Sequence, residues 1–240
     1  MVNNCAIIIQ DFLDRMAKDK AERGETFTPV QVFGGITLNE YVGGMNLSAV
    51  KKALDYGRCK EVWLPSLSAA HQKDAMGQTG GIRVSDCKGT LTQEMMDVLD
   101  VLAEYNDNTA GERVVLSACH VSNEEKYDIL AYIKKKGMDV KVLLDHITQE
   151  LTILTPEEAK EIEEDEIVYL NLAGVAKPGE SAYDQYFQQK NTEQIAGGFD
   201  GYGGIYLNGD QLLRTQLSLD KNVVKELTEL GQDVFMPSEQ

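Results

Sequence analysis

Short apolar runs that alternate with amphipathic stretches are the feature that most limits how this chain can fold. Seven runs have the length and β-branched content of strands, and they are rich in Val, Ile and Leu without polar alternation. These runs cover residues 5–9, 30–38, 61–65, 113–117, 140–145, 167–172 and 194–199. Because helical patterns separate successive runs, we expect parallel strands in an α/β fold. The pattern fits a doubly wound sheet and a closed barrel equally well.

Helix boundaries are marked by capping residues. Asn46 is placed to cap a helix that ends at Gly57, and the stretch SNEE at 122–125 has the form of a capping box for a helix that ends at Gly137. The stretch TPEE at 155–158 combines an N-cap, a proline at the first helical position and a second capping box. Three helices are therefore predicted with defined starting points.

Composition narrows the class of protein. The 240 residues can bury a sizeable core, and no linker or composition break divides them, so we expect one domain over residues 1–240. A balance of 39 acidic to 23 basic residues gives a net charge of −16, which disfavours nucleic acid and anionic membranes as partners. No signal peptide or membrane span is apparent, and no CxxC pair occurs, so we expect a cytoplasmic protein with reduced cysteines.

All three histidines of the chain fall after predicted strands. His71 follows the third predicted strand, His120 the fourth, and His146 the fifth, where it comes directly after Asp145. In a parallel α/β fold these connections open onto the end of the sheet where ligands bind. A single such histidine is more often structural, but three at one end favour a functional site.

Asp200 adds a carboxylate at the end of the seventh predicted strand, among glycines that allow close approach of a ligand. Imidazole and carboxylate groups are the usual ligands of zinc and related divalent ions. A turn aspartate is an equally good interpretation of the Asp-Gly pair. Asp145 could orient a ligand or cap the next segment, and Cys119 could be a soft ligand or a buried core residue.

The connection over residues 66–90 is too long for an ordinary strand-to-helix loop and contains several glycines. Loops of this length in a compact domain are usually functional lids or carry their own small elements. We expect residues 66–81 to cover the carboxyl end of the sheet as a flexible lid that carries His71.

Several blocks of the sequence resemble a little-characterised bacterial and archaeal family related to the amidohydrolases. They are VFGGITLN at 32–39, VGGMN at 42–46, VWLPSLSAAH at 62–71, CHVS at 119–122 with Glu125, and the pair DH at 145–146. The resemblance implies a metal-dependent TIM-barrel hydrolase in which histidines follow the fifth and sixth strands and a catalytic aspartate follows the eighth. The matching positions here are His120, His146 and Asp200, each one strand early.

That offset predicts an incomplete or distorted barrel of about seven strands that lacks the family's first strand. The His-x-His motif that this strand carries in the family is absent, and Phe12 stands where the second strand usually has a histidine. One metal, a site completed by another chain, and a catalytically inactive relative all remain open.

Two functions follow from these expectations. In the first, His120 and His146, with His71 or Asp200, bind a divalent metal, with zinc expected, and the metal activates a water that attacks a small amide, cyclic amide or ester. Asp200 is then either a ligand or the catalytic base. In the second, the chain is an inactive binding protein or a subunit of an oligomer. A phosphoesterase on a related barrel is a third option, although such enzymes normally need more histidines.

Overall fold

The computed structural model describes most of the chain up to residue 173 and two short strands beyond it, and the chain divides into two units, Met1–Val142 and Leu143–Gln240. The described residues are 4–56, 58–109, 113–147, 151–155, 158, 162, 165–173, 195–199 and 203–205. Asp200 lies outside these residues. The prediction that residues 1–240 form one domain stays a prediction.

Three parallel strands form the sheet of the first unit. They are β1 (Gly34–Thr37), β2 (Cys59–Trp63) and β3 (Val115–Ser117). β2 pairs with β1 on one side and with β3 on the other, and Val62 lies between Ile36 and Leu116 in the register. These three side chains are almost completely buried. The predicted strands at 30–38, 61–65 and 113–117 are therefore confirmed in position, with shifted ends.

Five helices flank these strands. They are α1 (Asn4–Glu22), α2 (Leu47–Asp55), α3 (Ala70–Ala75), α4 (Gln93–Asn108) and α5 (Asn123–Lys136). Asn46 caps α2 by accepting a hydrogen bond from the Ala49 N–H at 3.2 Å. Gly137 ends α5 with a φ of 63°. Both boundaries were predicted from the sequence.

The predicted strand at 5–9 is wrong, because these residues belong to α1. The run of Ala6, Ile7, Ile8 and Ile9 has β-branched character, yet Ala6 and Gln10 are buried while Ile8 and Ile9 are exposed. Burial at positions four apart is the spacing of one helix face. The longer helical period over 19 residues outweighs the local preference of the isoleucines.

β4 (Lys141–Leu144) lies at the boundary between the two units, and the second unit contains β5 (Val168–Ala173), β6 (Ile195–Phe199) and β7 (Gly203–Ile205). β5 and β6 are parallel, whereas β6 and β7 are antiparallel. The α/β class with parallel strands is confirmed, although β7 departs from the all-parallel expectation. Closure into a barrel stays a prediction.

The core of the first unit lies between its strands and the helices that pack on them. α2 packs on β1, β2 and α4, and the inner face of α4 is fully buried at Met95, Leu99 and Leu102.

Among the residues that the structure describes, no helix has both the length and the apolar character needed to cross a membrane.

Candidate functional site

One side chain, Asn39, ties the loop after β1 to the loop after β2. Its Oδ1 atom accepts hydrogen bonds from the backbone N–H groups of Ser66 at 2.9 Å and Ser68 at 3.0 Å. Its Nδ2 atom donates to Ser66 Oγ at 2.8 Å, and the Glu40 N–H donates to Ser68 Oγ at 3.0 Å. We call these four hydrogen bonds the Asn39 bracket. Because parallel strands present their carboxyl ends on one side, the Asn39 bracket fixes two loops at the edge where the sequence predicts a site.

The segment over residues 66–81 contains α3 and is bound to the chain beyond it. Ala70 N–H donates to Ile82 O at 2.9 Å, and Ile82 N–H donates to Ser68 O at 2.7 Å. Gly81 lies so close to this segment that a Cβ atom there would come within 2.7 Å of the Ala70 Cα atom. The segment is therefore a folded element at the edge of the sheet, and its mobility as a lid stays a prediction.

His71 lies in the first turn of α3, so the expectation that all three histidines occupy loops is wrong for this residue. The boundary was missed because the stretch SLSAAH carries no clear helix-capping signal: Ala69 precedes α3 without a side-chain cap. The helix nevertheless begins at the carboxyl end of β2, so His71 remains on the predicted side of the sheet.

His120 contacts this same helix. Its Nδ1 atom lies 2.7 Å from Gln72 Oε1, across 48 positions of sequence. An amide oxygen accepts, so Nδ1 is the donor in this contact, and a neutral imidazole then has its lone pair on Nε2. The preceding residue, Cys119, is held by a hydrogen bond from its Sγ atom to Leu64 O at 3.0 Å. The position of the imidazole is thus fixed by the contact of its own ring with Gln72 and by the hydrogen bond of the preceding residue, Cys119.

The turn after His120 is closed by the predicted capping box. Ser122 Oγ accepts from the Glu125 N–H at 3.3 Å, and Glu125 Oε2 accepts from the Ser122 N–H at 3.0 Å. Glu125 is fully buried, and its Oε1 atom also accepts from the Val84 N–H at 2.8 Å. This one carboxylate therefore fixes both the His120 turn and the chain that follows the 66–81 segment.

Glu124 lies in the first turn of α5, directly after the turn that carries His120. The pKa of its carboxyl is lowered, first by a hydrogen bond from its own backbone N–H, then by the Ser122 hydroxyl, and to a smaller extent by the positive charges of His71 and Lys126. His120 itself contacts α3 through Gln72, the residue that follows His71 in that helix.

His146 has a different setting in the second unit. It is 8% exposed, and its φ of 47° places it in the left-handed region, which is uncommon for a residue with a side chain. Its carbonyl oxygen accepts a hydrogen bond from Thr152 Oγ1 at 2.6 Å, and Leu154 N–H donates to Ile147 O at 3.0 Å. The neighbouring Asp145 is also buried. Nothing in the sequence signals this backbone conformation.

The predicted metal ligands cannot be assembled from the described residues alone. His71 and His120 belong to the first unit and His146 to the second, while Asp200 lies outside the described part of the chain. Within the described ranges, no group of three or more His, Cys, Asp or Glu residues could hold a metal ion. The contact of His120 with Gln72 fits ligation, because ligating histidines usually donate their second ring N–H to a carbonyl or carboxylate oxygen.

Two polar residues at this edge were not predicted from the sequence. Gln72 has no local signal, since its partner His120 is 48 positions away. Asn39 does stand directly after an apolar run, where a side chain at a strand end could have been suspected. Its role as a bracket depends on Ser66 and Ser68, which approach it only after β1 and β2 pair.

Comparison with known proteins gives a family but no activity. No curated protein matches the chain. The solved structure of amidohydrolase 2 from Bifidobacterium longum subsp. infantis is similar over 76% of this chain and 69% of that chain, at 14% sequence identity and a TM-score of 0.34. A similarity at this level supports no conclusion about a site or a reaction. The model of a family of unknown function, DUF6282, matches residues 3–171. The chain belongs to this family.

Proposed function

We propose that the protein is a hydrolase that cleaves a small amide, cyclic amide or ester at the carboxyl ends of β2 and β3. The observation that carries this proposal is the contact of His120 Nδ1 with Gln72 Oε1 at 2.7 Å. A neutral imidazole that donates from Nδ1 to this oxygen has its lone pair on Nε2, the atom through which it can bind a metal or accept a proton. The substrate class comes from the resemblance to amidohydrolases.

The residues around His120 hold it in position. Gln72 orients the ring, the capping box of Ser122 and Glu125 fixes the turn that carries it, and the Asn39 bracket holds the neighbouring loops. Catalytic groups work best when they are fixed before the substrate arrives, because no ordering is then needed during the reaction. The edge of the sheet has this fixed character.

A divalent metal, with zinc expected, would supply a Lewis acid and a bound water of lowered pKa. The hydrogen bond between His120 and Gln72 fits a ligating histidine. The other sequence candidates, His71, His146 and Asp200, are proposed as further ligands, and Asp200 is proposed alternatively as the base that accepts a proton from the attacking water. Each of these roles has to be tested by its own substitution.

The test measures metal content and hydrolysis on the same preparations. Protein purified without chelator is analysed for bound metal and assayed with p-nitrophenyl acetate and hydantoin, before and after addition of Zn²⁺. We expect His120→Ala to lose bound metal and activity while its melting temperature stays close to that of the wild type. Gln72→Ala should lower activity about 10-fold to 100-fold, the usual cost of removing the partner of a ligand. Gln78→Ala, an exposed change in the same segment, is the matched control.

Two results would contradict the proposal. If His120→Ala unfolds while metal content is unchanged, His120 is a structural residue. If the wild type binds no metal and hydrolyses neither probe with Zn²⁺ present, the chain is better described as the inactive binding protein that the missing His-x-His motif also suggests.

A further inference from the structure

The two faces of the first-unit sheet carry different side chains near the ends of the strands. Ile36, Val62 and Leu116 are matched across β1, β2 and β3 and are almost completely buried. Side chains alternate between the two faces of a strand, so the next matched row lies on the opposite face. That row consists of Thr37, Trp63 and Ser117, at the last position of each strand.

Trp63 is the single tryptophan of the chain, and it is partly exposed on this opposite face. Its ring lies over Gly35 of the neighbouring strand. A Cβ atom at Gly35 would come within 2.1 Å of Trp63 Cζ3 and 2.5 Å of the Glu61 carbonyl oxygen, so any other residue at position 35 would displace both the ring and the neighbouring strand backbone. The glycine of the VFGG stretch therefore provides the space in which the indole rests.

This placement leaves the polar edge of the indole on the side away from β1, because Nε1 is across the ring system from Cζ3. Tryptophan side chains usually pair this N–H when they are buried. Among the residues that the structure describes, none accepts a hydrogen bond from Trp63 Nε1. The ring is thus well supported on one edge and presents a donor on the other.

The indole lies at the same edge of the sheet as His120. The two residues that follow Trp63 are Leu64 and Pro65, and the Cys119 Sγ atom contacts their carbonyl oxygens at 3.0 Å and 3.6 Å. His120 comes next in the chain. The carboxyl end of β2 is therefore directly joined to the turn that carries the proposed catalytic histidine.

From this geometry we infer that Trp63 is a substrate-positioning residue whose indole N–H donates a hydrogen bond to the carbonyl oxygen of an amide or ester bound beside His120. The inference rests on the proposed function, which supplies the carbonyl class of ligand. It adds a specific recognition element: the substrate is a compact carbonyl compound small enough to reach Trp63 at the strand end, and the indole N–H orients it there.

The single tryptophan makes the test independent of turnover. Hydantoin and 2-pyrrolidinone are titrated into the full-length protein while the indole emission is recorded, and the dissociation constants of wild type and variants are measured by ligand-observed NMR. We expect a saturable change in emission for the wild type. Trp63→Phe keeps an aromatic ring but removes the donor, and it should weaken binding about tenfold, the effect of a lost hydrogen bond.

Two further variants test whether the position of the indole matters and whether any change near β1 weakens binding. Gly35→Ala keeps the indole but displaces it, so it should shift the emission of the free protein and weaken binding by a similar factor. Phe33→Leu changes an exposed aromatic residue just before β1 and should leave binding within twofold of wild type. Circular dichroism on each variant verifies that the fold is retained.

The outcomes separate this inference from the proposed function. Binding that weakens in Trp63→Phe and persists in His120→Ala supports the role of Trp63, even if no hydrolysis is found and the proposed function fails. Absence of saturable binding of either probe, or equal dissociation constants in wild type and Trp63→Phe, overturns it. In an active enzyme, a higher KM with unchanged kcat in Trp63→Phe would add support.

Discussion

The turns that carry His120 and His146 are held by opposite means, although both histidines stand just after a strand in the sequence. His120 is partly exposed, and side chains fix its turn: Gln72 holds the ring and the capping box holds the backbone. His146 is buried, has a φ of 47°, and is fixed through its carbonyl oxygen by Thr152. In the first arrangement side chains position the imidazole, whereas in the second the backbone of the histidine is itself held in the left-handed region.

The largest effect is expected from the residue that closes the His120 turn. Glu125→Ala removes the acceptor of two buried N–H groups, those of Val84 and Ser122. Each buried N–H left without a partner costs about 1–3 kcal/mol, so we expect a loss of about 3 kcal/mol in the free energy of unfolding. Urea unfolding followed by circular dichroism measures this loss.

Glu124→Ala, next to it in α5 but exposed, is the matched control and should change the free energy of unfolding by less than about 0.5 kcal/mol. If both alanine variants unfold at the same urea concentration as the wild type, side-chain contacts do not hold the His120 turn and the contrast with His146 is lost.

A smaller effect should distinguish the two histidine positions directly. His146→Val places a β-branched side chain in the left-handed region and should destabilise the protein by about 1–3 kcal/mol. His120→Val, where the described backbone has no positive φ, should cost clearly less. Thermal melts of the two variants compare them. His146→Asn should recover part of the loss, because asparagine tolerates this conformation; equal melting temperatures for both valine variants would contradict the strain at His146.

The same contrast explains what the sequence could predict. The capping box at Ser122 is a local signal with a fixed spacing, and the structure confirms it together with the start and end of α5. A left-handed histidine has no such signal, because Thr152 fixes it from six positions away. The contact of Gln72 with His120 and the placement of Trp63 over Gly35 arise only when separate strands and loops meet, so no spacing rule reveals them.

The mistaken strand at 5–9 shows a different limit. The local run of isoleucines favours a strand, while the buried positions Ala6 and Gln10 belong to a helical period that is visible only over a longer window. Gln10 then anchors the helix by accepting hydrogen bonds from the Val32 N–H at 2.7 Å and from Arg58 Nη2 at 2.8 Å. The polar Gln10 next to an apolar run was the sequence signal that α1 is attached to the chain near Val32 and Arg58.

The smallest effect concerns the charge at the start of α5. The pKa of Glu124 is lowered by its own backbone N–H, then by Ser122 and, to a smaller extent, by His71 and Lys126, so its ionised form stabilises the fold. This contribution is present above the ordinary pKa of a glutamate and is lost as the pH falls through the lowered value. Because the side chain is exposed, we expect only a few tenths of a kcal/mol.

Melting temperatures of wild type and Glu124→Gln between pH 7 and pH 3 test this expectation. The difference between the two proteins should be largest near neutral pH and should vanish in acid. A difference that grows as the pH falls would show that Glu124 does not stabilise the turn through its charge.

The Asn39 bracket makes the loops after β1 and β2 share one opening event. The amide N–H groups of Ser66 and Ser68 both donate to the Asn39 Oδ1 atom. Neither hydrogen can exchange with solvent deuterium until these hydrogen bonds to Asn39 break. Two amides in an irregular segment should thus show equal and slow exchange, a pattern normally seen inside a helix or sheet. The loops after β1 and β2 are therefore expected to open together.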